Sequence, residues 1–372
     1  MRRISRENLL QEIDTKVHRI NELLETRNLE GLLFLRRENV AWLTAGESSR
    51  TIAMPGEIAI ACLLILKDGR RFYFAANNEA VRLAHEDLSE LGFEPIVYPW
   101  YEDLSERLIR SVAGGGKLGS DFLRAECELT NIAPLRWELL PAEISRYRDL
   151  CHKTARAVAR VLLELRPATN MREVEARVCY ELQCDGIEPT VLLMAADERI
   201  RRYKHALTQD STVDRFAMIN LCARRWGLAV SITRYLHFGA MSEELIRDFD
   251  VSSQVYARLL HATRTGFTSA ECFDVARGAY ADQGYPGEEK EHHQGGAAGY
   301  LEREWLARPG GKEVICSSQA FAWNPSVRGA KIEDTVLLQD GQIEVMTATP
   351  ELPIVGIEVV GNTYKLPGVL VR

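Results

Sequence analysis

The run Met218–Gly239, MINLCARRWGLAVSITRYLHFG, limits the fold more than any other stretch of the chain. Both halves are largely apolar and the break between them falls near Arg225–Gly227, so it reads as two β-strands joined by a tight turn. Helical patterns flank it. Before it, Ile144, Tyr147, Cys151, Val158, Leu162 and Leu165 recur on one helical face until Pro167 ends the run. A second helix follows, opened by the pair Asn170 and Glu173, whose side chains can satisfy each other's free backbone amides, and burying Val174, Val178 and Leu182. Thr268 and Glu271 repeat that device ahead of a later helix. The order helix, helix, strand, hairpin, two helices and then strands predicts helices packed outside a curved antiparallel sheet over residues 143–372.

Residues 1–142 read as a separate α/β unit. Leu9, Ile13, Val17, Ile20 and Leu24 repeat at helical spacing, and GLLFLR, IAIACLLILK and RFYFAA are apolar runs of strand length. Helical patterns follow at NEAVRLAHEDLSEL and YEDLSERLIRSV. The glycine run AGGGKLGSD reads as a turn and not a phosphate loop, because Lys117 is followed by Leu118 where Ser or Thr would be required. A chain of 372 residues with 46% apolar content has material for two cores.

A net charge of −7 without blocks of like charge gives no footprint for nucleic acid or an anionic membrane, which leaves a small molecule as the expected partner. The first residues have no apolar core of signal-peptide length, and no run approaches the ~18 apolar residues of a membrane span, so a cytoplasmic protein is expected. Eight cysteines without a CxxC pair suit reduced thiols.

Residues able to do chemistry concentrate in four places: His205 in RYKHAL, the hairpin itself, His292 and His293 in EHHQGGAAGYLEREW, and Asn324 with Glu333 in QAFAWNPSVRGAKIEDTVLL. Paired histidines before Gly-Gly suggest backbone that a ligand can approach closely. Cys222 shares a strand face with Asn220 and reads either as a nucleophile or as a small buried side chain. Tyr300 and Arg303 are expected to contact substrate, whereas Arg328 and Lys331 are expected to be solvated.

These residues carry a resemblance. Ser231-Ile232-Thr233-Arg234 is similar to the second half of the Asp-x-Gly and Asp-Ile-Thr-Arg hairpin of the creatinase and aminopeptidase P superfamily, and Asn220 stands eleven residues before Ser231 as the first aspartate does there. That superfamily has the pita-bread fold of methionine aminopeptidases and prolidases. The resemblance implies an α/β N-terminal domain followed by an α+β pita-bread domain. It also implies that Asn220, Ser231, His293 (or its neighbour His292), Asn324 and Glu333 occupy the places of metal ligands ordered Asp, Asp, His, Glu, Glu. His205 resembles a histidine that shuttles protons or binds the substrate. NVAWLTAGESSRT resembles a loop that closes a partner's site, which implies a homodimer with Arg50 near the partner's pocket.

The departures from the family pattern set the functional expectation. One carboxylate, Glu333, cannot neutralise a pair of divalent cations, so no metal is expected; the remaining ligands could at most hold a single weak ion of manganese, iron, cobalt or zinc. Creatinase hydrolyses an amidino C–N bond without metal. By that resemblance the chain is expected to be a metal-independent hydrolase or lyase of a C–N bond in a small polar molecule. His205 would be the acid/base, His293 would orient the substrate, Glu333 would order water, and Asn220, Ser231, Asn324 and His292 would hydrogen-bond the substrate. Two alternatives stay open: a metal-dependent Xaa-Pro aminopeptidase or dipeptidase with a degenerate site, and a small-molecule-binding protein without catalysis.

Overall fold

The computed structural model describes residues 6–54 and 56–372. The chain forms two compact units, the first running to Arg136 and taking in Leu140–Ile144 and Trp226–Leu228, the second comprising the remainder. The first unit holds a mixed sheet of β1 (Gly31–Arg36), β2 (Ile58–Leu66), β3 (Arg71–Ala76), β4 (Glu94–Tyr98), β5 (Leu118–Ser120) and β6 (Cys127–Leu129), in the order β4-β3-β2-β1-β5-β6. The helix Arg6–Arg27 buries Ile13, Val17, Ile20 and Leu24, while Leu9 is only half-buried. It also buries Lys16, a charge compensated by Glu12 at 2.5 Å and Glu143 at 2.9 Å. The glycine run is a turn leading to β5, and Lys117 pairs with Glu128 at 2.5 Å. Arg50 is exposed in the loop after the helix Arg37–Leu43.

The strands of the second unit are β7 (Glu188–Ala196), β8 (Phe216–Arg225), β9 (Leu228–His237), β10 (Gly295–Ala298), β11 (Trp305–Leu306) and β12 (Gln319–Trp323), followed by β13 (Ser326–Val327), β14 (Ala330–Lys331), β15 (Asp334–Gln339), β16 (Gln342–Val345), β17 (Ile354–Val359), β18 (Asn362–Pro367) and β19 (Leu370–Val371). One large sheet has the order β19-β9-β8-β7 and the other β11-β10-β12-β15-β16, while β13-β14 and β17-β18 form two-stranded sheets. Helices Glu243–Ala262 and Ser269–Asp282 cover them, packing Val255, Tyr256, Leu259, Ala276 and Tyr280 into one core with Phe321, Trp323, Val336 and Leu338. This is the pita-bread arrangement, and it arises because both sheets present an apolar face that helices must shield.

Local chemistry explains the joints. Trp226 and Gly227 both adopt positive φ, 53° and 78°, as a two-residue hairpin turn with the right twist requires. Thr268 and Glu271 form the full reciprocal cap. Asn170 does not: its side chain accepts from the Arg172 amide, and Glu173 is drawn instead to Arg177 at 2.5 Å, one turn along the helix. Among the described residues no helix is long and apolar enough to cross a membrane, and all eight cysteines are free thiols.

Candidate active site

The hairpin places its side chains by the two-residue period of a strand, so that Asn220 and Cys222 share one face of β8 while Ser231 and Thr233 share one face of β9. Across the strands Asn220 Nδ2 donates to Thr233 Oγ1 at 2.7 Å, and Cys222 Sγ lies 3.2 Å from Ser231 Oγ. An isolated bridge between Thr233 and Glu333 ties this hairpin to the start of β15. Glu333 is the hub. Its Oε2 accepts from Asn220 Nδ2 and Thr233 Oγ1, both at 2.6 Å, and its Oε1 accepts from Arg303 Nη2 at 2.9 Å. The same guanidinium donates through Nη1 to Ser231 Oγ at 2.9 Å and to the Glu302 carbonyl at 2.6 Å. Burial drives the Glu333 carboxyl upward, but Lys331 and Arg303 outweigh it and hold the group below its usual value. Next in sequence, Asp334 points the other way, into an ion pair with Arg234 at 2.5 Å. Arg234 and Asp334 line a separate cavity of about 660 Å³ with His261 and Tyr364, which holds none of the site residues.

The second cluster is made of imidazoles. His292 Nε2 lies 3.0 Å from His205 Nε2, and the rings of His292 and His293 are centred 4.2 Å apart. His292 Nδ1 is 2.6 Å from the His293 carbonyl, which can only accept, so Nδ1 carries the hydrogen and Nε2 is bare. His205 therefore donates its Nε2 hydrogen to His292 and keeps an open Nδ1. Burial, and then the charge of Lys331, pull His292 down to about 3; burial and then Arg303 pull His293 down to about 4. His205 is lowered by burial and Lys331 as well, so the three rings are neutral at pH 7.

The glycines after this pair do not serve a ligand. A Cβ on Gly295 would meet the Ala322 carbonyl oxygen at 2.1 Å, and one on Gly296 the Trp305 carbonyl oxygen at 2.0 Å. The neighbouring strands come in close on both sides, so glycine there fixes the position of the His292–His293 loop. Gln294 pins the same loop through the His292 carbonyl and the Tyr280 hydroxyl.

Several expectations change. Asn220 Nδ2 and Ser231 Oγ are spent on Glu333 and Arg303 and are buried, leaving little of either for a substrate. Arg303 is partly buried and bonded to Ser231 and Glu333, so part of its guanidinium is already committed within the protein. Tyr300 is wholly buried and offers no surface. Cys222 is the buried alternative, its thiol pushed up to about 12 by burial and then by Glu333, which rules out a resting thiolate. Arg328 is solvent-exposed and pairs with Asp248 at 2.8 Å, but Lys331 is buried, with only 6% of its surface open. The missed signal for Lys331 was the strand period: in KIE it shares the face of Glu333. Thr233 was missed too, as the cross-strand partner of Asn220.

Comparison with known proteins now bears on this geometry. The model of metallopeptidase family M24 matches residues 145–340, more than half of the chain. The chain belongs to metallopeptidase family M24. With that it joins the creatinase and aminopeptidase P superfamily, and it is a hydrolase that cleaves C–N bonds. A Pyrococcus horikoshii protein described as an Xaa-Pro dipeptidase is 21% identical over 364 residues, covering 91% of this chain and 98% of its own. Among solved structures, an Xaa-Pro dipeptidase from Bacillus anthracis is similar at a TM-score of 0.75 and 16% identity, covering 97% of this chain and all of its own. A dipeptidase from Mycobacterium ulcerans is similar at a TM-score of 0.77 and 17% identity, covering 92% of this chain and 97% of its own.

M24 membership raises the question of a metal pair, and the donors present do not fit one. The single carboxylate at those places, Glu333, has both oxygens engaged, and it is met by the hydrogen-bond donor of Asn220 and by a guanidinium. Two built-in cations, Arg303 and Lys331, already act on it. His205, His292 and His293, with one ligand atom each within 4.8 Å of the others, are the one described cluster of His, Cys, Asp and Glu with spacing for a single ion.

Proposed function

We propose that this chain is a hydrolase of a C–N bond in a small polar molecule that works without a metal, using Arg303 and Lys331 in place of divalent charge and the histidine cluster for proton transfer. The observation that carries this reading is the Arg303 guanidinium bonded to both Ser231 and Glu333, two places where relatives of this family keep anionic ligands. In this mechanism His205 Nδ1 takes a proton from water as it attacks the scissile carbon, while His292 steadies the charged ring through the 3.0 Å contact; the proton then passes to the leaving nitrogen. Glu333 acts as the fixed anion that positions Arg303. Eight free thiols suit the reducing cytoplasm as its setting.

Metal content is the test. Protein purified without chelator should carry far less than one equivalent of manganese, iron, cobalt or zinc per chain, and turnover of a C–N substrate should survive dialysis against EDTA. Two equivalents per chain with activity lost on chelation would sink the reading. A second reading, a metal-dependent Xaa-Pro dipeptidase with one ion, is favoured by the histidine cluster and by the names of the relatives, and one equivalent restored by manganese or cobalt would establish it. The homodimer, with Arg50 near the partner's site, belongs to the same proposal; light scattering should give about twice the 42.0 kDa of one chain, and a monomer would count against it.

A further inference from the structure

The strand period that joins Thr233 to Glu333 sends their neighbours Arg234 and Asp334 to the opposite side, where they line the cavity of about 660 Å³. That volume lies within the ~300–1,000 Å³ of small-molecule sites. The cavity is contained in the second unit. Its walls are the C-terminal end of the helix Glu243–Ala262 with the two residues after it, β16, and the hairpin of β17 and β18. Most of the lining follows residue 340, where the match to the M24 model ends, so the space is built by the segment beyond the matched region. Tyr364 ties the hairpin to the helix, its hydroxyl lying 3.0 Å from His261 Nδ1.

The lining is apolar on one side and cationic on the other. Leu260, Ile343 and Leu352 supply the apolar wall. Asp334 is the one carboxylate among the described lining residues, and Arg234 neutralises it at 2.5 Å. Arg264 and Lys365 add two positive charges; both are solvent-exposed, and among the described residues neither has an ion pair. Arg264 rests on the Phe267 ring at 4.1 Å, and the Glu271 carboxylate that its charge reaches is taken up by the cap at Thr268. Two cations at the open side of a partly apolar cavity, with no anion of the protein to meet them, give a field that favours an incoming anion. We propose that this cavity is a second ligand site, separate from the catalytic cluster, and that it takes an amphiphilic organic anion. The carboxylate or phosphate head meets Arg264 and Lys365, and the apolar body lies against Leu260, Ile343 and Leu352. This site goes beyond the metal-free reading and does not rest upon it.

Isothermal titration calorimetry on the full chain tests this, with octanoate and octyl phosphate as probes and octan-1-ol as the neutral control. At least one anion should bind with a Kd on the order of 0.1 mM, which about ten non-hydrogen atoms can supply. It should bind about tenfold more tightly than the alcohol, a modest gain because both cations are exposed. Which anion binds more tightly identifies the head group. The double variant Arg264→Gln with Lys365→Gln changes only exposed side chains and should bring anion and alcohol within about twofold of each other. Ile343→Trp, which fills the apolar wall, should weaken both by about tenfold or more. His205→Ala should bind the anions as the natural protein does. No measurable binding of either anion, equal affinity for anion and alcohol, or a preference that survives the double variant would overturn the proposal. Loss of binding in His205→Ala would place the anion in the catalytic cluster and overturn it as well. If Ile343→Trp does not fold, the double variant and His205→Ala still decide.

Discussion

Replacing Arg303 with Met is expected to cost the fold about 3 kcal/mol, at the low end for breaking a buried ion pair. The substitution leaves a carboxylate that is almost fully buried with Asn220 and Thr233 as its remaining hydrogen-bond partners. Those bonds and the charge of Lys331 limit the loss; without them Glu333 would have to take up a proton to stay buried. The check is a double-mutant cycle by urea unfolding. Glu333→Gln in the Arg303→Met background should recover most of the loss, giving a coupling of about 2 kcal/mol or more. Simple addition of the two single losses would show that the guanidinium and the carboxylate act independently.

His205→Ala is expected to lower kcat by about 10²–10⁴ while leaving the urea midpoint unchanged. His205 is exposed, so truncating it removes little packing, and its one hydrogen bond is to another imidazole. The effect should fall on kcat and not KM, because the ring transfers a proton and does not hold the ligand. His292→Ala should fall in the same direction with a smaller loss, since in the proposed mechanism it acts on the proton transfer through His205. Release of amine from a panel of C–N substrates measures both. An unchanged rate in His205→Ala would remove this residue from the chemistry.

How much of this was legible in the sequence differs from element to element. The hairpin and its turn were, because two apolar strand-length runs around Trp226-Gly227 admit few other structures. The face of the long helix was legible for the same reason: Ile144, Tyr147, Cys151, Val158, Leu162 and Leu165 are all buried. Asn220, Ser231 and Glu333 were found by spacing, but what they bond to was not, since a cation arriving from the loop between β10 and β11 has no local sequence signal. Gly295 and Gly296 misled in a similar way. Glycine reports that something comes close, and only the sheet shows that it is the backbone of β12 and β11. The cap at Asn170 was read correctly as a helix start and wrongly as a reciprocal box, because the competing Arg177 lies outside the motif.

The position of Arg303 also decides what an acidic residue at 231 could do. Ser231→Asp alone would set a carboxylate against a guanidinium that already lies 2.9 Å from the present hydroxyl oxygen. That new anion would form an ion pair, not an ion-binding position, and Asp at 220 would lose the amide donor that now steadies Glu333. An aspartate at 220 would also set a second carboxylate against Glu333 in a buried space. Under the metal-free proposal the guanidinium therefore acts as a lock: while Arg303 stays in place, an aspartate at 231 gains a partner within the protein before it can offer an oxygen to an ion.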